Sequence, residues 1–114
     1  MPSDRSAAFW ADILKNAKLA QEFVDRMDLE AFIADRRTFY AVTRCLEIIS
    51  EASRRLGDAE RSRRPELPWK QIMGAGNIYR HRYDEIEEAF VWRTVHERLP
   101  QIIEVANAEA GRGR

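Results

Sequence analysis

A single cysteine, Cys45, leaves the 114-residue chain no internal disulfide, which suits a reducing compartment. Two histidines beside it do not complete the ligand set of a usual zinc site. No N-terminal stretch is apolar enough for a signal peptide, and no run is long enough to span a bilayer. These absences predict a soluble, cytoplasmic protein that uses no metal, no cofactor and no membrane. Glycine and proline are scarce, at five and four, and alternating runs of Val, Ile and Thr are missing. Sheet is thereby disfavoured and helix favoured. An excess of one charge is missing too: 19 cations face 19 anions, so bulk electrostatics give no strong pull on polyanions.

What is present begins with those cations. Only Lys15, Lys18 and Lys70 are lysines, and the other sixteen are arginines. Guanidinium grips phosphate bidentately, which permits a phosphate-handling role; a GC-rich genome produces the same bias. Charged residues make up 33% of the chain, above the usual quarter. That suits long helices with solvated faces, or a small protein that covers its apolar surface by dimerising. The length fits one domain, read as residues 1–110 with a disordered tail at 111–114.

Hydrophobic spacing predicts four main helices and one short one, an all-α up-down bundle. The first begins near Ser3 or Asp4 and carries Trp10, Ile13, Ala17, Ala20, Val24 and Met27 on one stripe, widened by Phe9, Leu14 and Phe23. Asp28 is placed to cap a short helix over 29–34. A third helix over about 35–56 presents Phe39, Val42, Leu46, Ile49 and Leu56, and Gly57 suits its C-terminal cap. Residues 58–68 read as a polar loop. Its Arg61, Arg63 and Arg64 serve either solubility or RNA phosphate. Pro68 then starts a short helix with Trp69, Ile72 and Met73 on its buried edge, weakened at Gly74-Ala75-Gly76-Asn77. A last helix is expected from Asp84, with Ile86, Phe90, Val95, Leu99, Ile102 and Ala106 facing inward. Pro100 should kink or split it.

The segment Ile78-Tyr79-Arg80-His81-Arg82-Tyr83 sets two aromatics, two arginines and a histidine in six positions. Metal-free cleavage of a phosphodiester needs a group to take the proton of a ribose 2′-hydroxyl, and imidazole suits that near neutral pH. It needs a cation for the charge growing on the phosphate oxygens, which guanidinium supplies. It also needs a polar or planar group to hold base or sugar. His81, Arg80 or Arg82, Asn77 and Tyr83 cover these roles; an exposed polar patch is the plainer reading of the same residues. Glu47 and Glu51, one helical turn apart, either orient His81 or Arg80 or form a solvated face. His96 reads as a partly exposed helical histidine and Cys45 as a buried, inert thiol. Gly74-Ala75-Gly76 lacks the strand and later glycine of a dinucleotide loop and fits a helix interruption or a close helix contact.

Three stretches of the chain resemble the HepT-like branch of the HEPN superfamily (higher eukaryotes and prokaryotes nucleotide-binding). Residues 35–52, from Asp35-Arg36-Arg37-Thr38 to Arg44-Cys45-Leu46-Glu47-Ile48-Ile49-Ser50-Glu51-Ala52, resemble that family's second long helix, with its "LEIIGEA"-like run. Leu67-Pro68-Trp69-Lys70-Gln71-Ile72 resembles the "PW" segment before the motif. Asn77 to Tyr83 resembles the motif: Arg, Asn, three variable residues, His, one variable residue, Tyr.

The resemblance implies a HEPN-type four-helix bundle, a homodimer, and a metal-independent endoribonuclease acting on RNA such as tRNA. It further implies the toxin half of a type VII-like toxin–antitoxin pair. Its partner would be an MNT-type nucleotidyltransferase antitoxin that neutralises it by attaching AMP to the motif tyrosine. By position, His81 matches the catalytic histidine, Asn77 the motif asparagine and Tyr83 the modified tyrosine. Gly76 stands where the motif arginine should be. Either Arg80, with Arg82 in support, supplies that cation from another position, or the site is degenerate and binds RNA, nucleotide or the partner without cutting.

Overall fold

In a computed structural model, the described residues are 4–81 and 87–112. Among them every regular element is helical. The first long helix, α1 (Asp4–Phe23), ends in a turn that places Arg26 at φ 65°. Asp28 then caps α2 (Leu29–Ala34), its carboxylate accepting the Ala31 N–H at 2.8 Å. Asp35 repeats the device for α3 (Arg36–Arg55), accepting from the Thr38 N–H at 3.1 Å and the Thr38 hydroxyl at 2.7 Å. Those bonds hold its carboxyl below the ordinary carboxylate value.

α3 is the central helix, packed on α1 along one side and on α5 (Trp69–His81) along another, while α1 also packs on the C-terminal helix. The core follows the expected stripes. Trp10, Ile13, Ala17, Ala20 and Val24 of the N-terminal region meet Phe39, Val42, Leu46, Ile49 and Leu56 and, from the last helix, Val95, Leu99, Ile102 and Ala106. The short helix α2 is pinned by Phe32, fully buried with its ring 6.0 Å from Phe39 and 5.5 Å from Trp92. Full burial of a phenylalanine is worth roughly 1.5–3 kcal/mol, enough to hold one and a half turns that would not persist alone.

The stretch read as a polar loop folds into a further helix, α4 (Asp58–Ser62). Its arginines are all held by intramolecular partners, Arg63 while its side chain is still exposed. The last carbonyls of a helix lack partners within it. Arg61 fills that need for α3, donating to the Ser53 and Arg54 carbonyls at 2.8 and 3.0 Å while pairing with Asp58 at 2.6 Å. The Trp69 indole does the same for α4 and the turn after it, donating to the Arg61 and Arg64 carbonyls. It stands edge-on to Trp10, whose own indole donates to Glu60. Gly57, at φ 87° and ψ 162°, makes the turn between α3 and α4.

The last helix is one axis in three parts: α6 (Glu88–Arg93), a π-helical turn (Thr94–Arg98) and α7 (Leu99–Gly111). The expected break at Pro100 takes this form. Proline lacks an N–H and crowds the carbonyl one turn back. Widening that turn relieves both demands, with the Leu99 N–H reaching the Thr94 carbonyl. The predicted start at Asp84, with Ile86, lies outside the described residues. Two expected core residues are instead 41–42% exposed: Phe23, in the last turn of α1, and Phe90, which lines an open apolar groove. Of the four residues read as a tail, Gly111 is helical and Arg112 pairs with Glu60 and Glu109 at 2.7 and 3.0 Å, while 113 and 114 lie outside the described residues.

Candidate functional site

Helix α5 runs without interruption from Trp69 to His81, so Gly74-Ala75-Gly76-Asn77 does not end it. The candidate residues Asn77, Arg80 and His81 therefore sit on its last turns, with Asn77 and His81 one helical turn apart. Arg82 and Tyr83 lie outside the described residues.

The glycines of α5 differ in surroundings. A Cβ at Gly74 would meet nothing within 4 Å. A Cβ at Gly76 would overlap the Ser50 hydroxyl and stand 3.0 Å from the Ser50 Cβ. Gly76 is thus the point of close approach between α5 and α3. Directly beside it, Ser50, 1% exposed, donates its hydroxyl to the Met73 carbonyl at 2.9 Å, and Arg54 donates to the same oxygen at 3.0 Å. Neither Ser50 nor Arg54 stood out in the sequence. The signal available was a small residue on the α3 stripe paired with a glycine on the next long helix.

A cavity of about 170 Å³ with a mixed lining opens over this contact, between Phe9 and Asp12 of α1, the charged Arg44, Glu47, Glu51 and Arg55 of α3, and Gly76 itself. Glu51 pairs with Arg55 at 3.1 Å, and Glu47 with Arg44 at 2.6 Å. Glu51 is therefore beside the start of the motif, at Gly76, while bound to a cation of its own helix. These pairs are largely solvated, so each contributes little to stability and can exchange partners.

Other candidates fall elsewhere. His96 is exposed on the π turn, its ring 4.1 Å from the Trp92 ring and inclined to it by 36°, with Nδ1 2.9 Å from the Trp92 carbonyl. Cys45 is buried and unpaired by disulfide, and burial pushes its thiol upward, away from reactivity. Arg63 and Arg64 bind Glu109, a carboxylate 2% exposed.

An all-α bundle, with an arginine- and histidine-bearing segment carried on a helix docked to its central helix, defines a helical-bundle class rather than a single activity. The family model described as "Ribonuclease HepT-like" matches residues 13–109. A protein of Methanocaldococcus jannaschii described as "Putative RNase MJ1380" is 41% identical over 95 residues, covering 83% of this chain and 87% of its own. The "Probable ribonuclease HepT" of Thermococcus cleftensis is 33% identical over 91 residues, 80% of this chain and 83% of its own. A "Putative RNase MJ0125", also from M. jannaschii, is 34% identical over 102 residues, 90% and 88% of the two chains. No solved structure matches. The chain belongs to the HepT-like ribonuclease family of the HEPN superfamily.

Proposed function

We propose that the chain is a metal-independent endoribonuclease, the toxin half of a toxin–antitoxin pair, with its site on the C-terminal turns of α5. What carries the reading is the pairing of family membership with an unbroken helix from Trp69 to His81. Asn77, Arg80 and His81 are then carried on a rigid element instead of a loop, as positioning for catalysis requires.

In this reading His81 takes the proton of a ribose 2′-hydroxyl. The 2′-oxygen attacks the adjacent phosphorus, the P–O5′ bond breaks, and the departing 5′-oxygen takes a proton from water. Arg80, with Arg82 in support, offsets the charge on the non-bridging oxygens. Asn77 and Tyr83 hold the substrate, and Glu51 supports the motif from α3. Two copies of the chain bring their motifs together in a homodimer around one RNA, tRNA among the candidate targets. A nucleotidyltransferase partner of MNT type silences the site by attaching AMP to Tyr83, adding negative charge and bulk where phosphate must enter.

Purified protein in chelator should cleave RNA, and His81→Ala should remove the activity. Equal cleavage by both proteins would assign the activity to a contaminant. Co-expression with a nucleotidyltransferase should add the mass of AMP, and Tyr83→Phe should prevent that. A second reading is favoured by one observation: the position of the motif arginine is Gly76, packed on Ser50. On that reading the protein binds RNA, nucleotide or its partner without cutting, and no condition yields cleavage.

A further inference from the structure

The contact between α3 and α5 determines where the motif helix lies, and three groups make it. Ser50 and Arg54 both donate to the Met73 carbonyl, at 2.9 and 3.0 Å. Met73 is four residues before Asn77 and eight before His81, so the clamp grips α5 about one turn before Asn77 and two before His81. Between clamp and motif, Gly76 lies buried against Ser50, with room for a hydrogen but not for a Cβ. Ser50 is itself 1% exposed, and its Cβ, which no rotamer change moves, would stand 3.0 Å from a Cβ at position 76.

We propose that Ser50 and Arg54 are positioning residues that hold the motif helix through the Met73 carbonyl, and that they can do so only because position 76 carries no side chain. Gly76 is a packing glycine in this chain, and an arginine placed there would push α5 off α3 instead of serving the site. The cation of the reaction therefore belongs to another position. The catalytic consequence rests on the ribonuclease reading above; the packing does not.

Gly74 provides the control, because a Cβ there meets nothing. Full-length Gly74→Ala, Gly76→Ala, Ser50→Gly and the double variant Ser50→Gly/Gly76→Ala are compared by metal-free RNA cleavage and by thermal unfolding. Gly74→Ala should keep the wild-type rate. Gly76→Ala should lose about a hundredfold in kcat, with KM little changed, the scale expected when a site is displaced by about 1 Å. Its melting temperature should fall as well. The double variant, which moves the methyl from one helix to the other, should recover to near the level of Ser50→Gly alone. Wild-type cleavage by Gly76→Ala, or a double variant no better than Gly76→Ala, would overturn the proposal. If the wild-type protein cleaves nothing, it is the ribonuclease reading that fails. The melting temperatures then decide the packing: recovery in the double variant upholds it, and simple addition of the two losses rejects it.

Discussion

Arg64 and Glu109, 45 positions apart, meet at 2.7 Å and tie the segment after α4 to the last turns of α7. Glu109 is 2% exposed and also receives Arg63 at 2.7 Å and Arg112 at 3.0 Å. A buried carboxylate is retained only when its charge is matched and its oxygens are bonded. Here both oxygens are used.

Removing that charge should therefore take from three guanidiniums their shared buried partner, leaving Arg112 and Arg63 with Glu60 and Arg64 with Glu66. Glu109→Gln is expected to cost about 2 kcal/mol, less than the roughly 3–5 of a fully buried pair because the arginines stay partly solvated. For a domain of this size that lowers the melting temperature by about 8 °C. Calorimetry or circular dichroism checks it; an unchanged midpoint would show the network to be dispensable.

Acid should weaken the same end of the molecule through Glu60. Burial alone would raise its pKa, but hydrogen bonds from Arg112 and Trp10 outweigh it and hold the carboxyl below its ordinary value of 4.5. A group depressed in the folded state contributes stability above its ordinary value and loses it as pH falls through the folded one. The wild-type midpoint should thus be level near neutrality and drop below about pH 4.5. Glu60→Gln should lower the neutral midpoint and flatten the acid limb. Parallel curves for the two proteins would contradict the assignment.

Gly57 tests backbone strain without packing. Its φ of 87° and ψ of 162° lie where side chains are rarely accommodated, yet a Cβ there meets nothing within 4 Å. Gly57→Ala should destabilise by about 1–3 kcal/mol through conformation alone. A neutral result in chemical denaturation would mean the turn relaxes freely.

The chemistry of metal-free cleavage predicts its products. Attack by the 2′-oxygen leaves a 2′,3′-cyclic phosphate on one fragment and a 5′-hydroxyl on the other. Mass spectrometry of a short cleaved RNA distinguishes these from 3′-hydroxyl and 5′-phosphate ends, which would point to attack by water instead. Arg80→Ala should slow the reaction by about a hundredfold or more if this guanidinium carries the phosphate charge.

The long helices were legible because burial imposes a 3.6-residue period, and Trp10 to Val24 and Phe39 to Leu56 keep it without a fault. The Asp28 and Asp35 caps were legible as chemistry, though Asp28 alone was read from the sequence. The arginines at 61, 63 and 64 were opaque. Besides local carboxylates such as Asp58 and Glu66, they bind backbone carbonyls of α3 and a glutamate 45 or 46 positions away, and no local pattern encodes a contact of that range. Phe90 misled for the opposite reason: its spacing matches the core stripe, while its ring lines a groove open to solvent.

For the site, the motif order singles out Asn77, His81 and Tyr83 as candidates, and the helix that carries Asn77 and His81 is longer than two glycines suggest. Glycine lowers helix propensity by about 1 kcal/mol, but tertiary packing overrides it where the missing side chain is what lets two helices meet. The role of Gly76 thus depends on Ser50, a residue that only the fold brings beside it.

The π turn at Thr94–Arg98 has a consequence for chain length. Its bonds close around five residues instead of four, so the last helix holds one amino acid more than a regular spiral over the same rise. Pro100 and that surplus residue form a matched set. Deleting one residue within the turn restores a regular helix but returns the proline ring to a carbonyl it cannot avoid. Deletion combined with Pro100→Ala should give a shorter chain with both flanking faces still in phase. Natural length variants of this helix should accordingly lose the proline and the extra residue together.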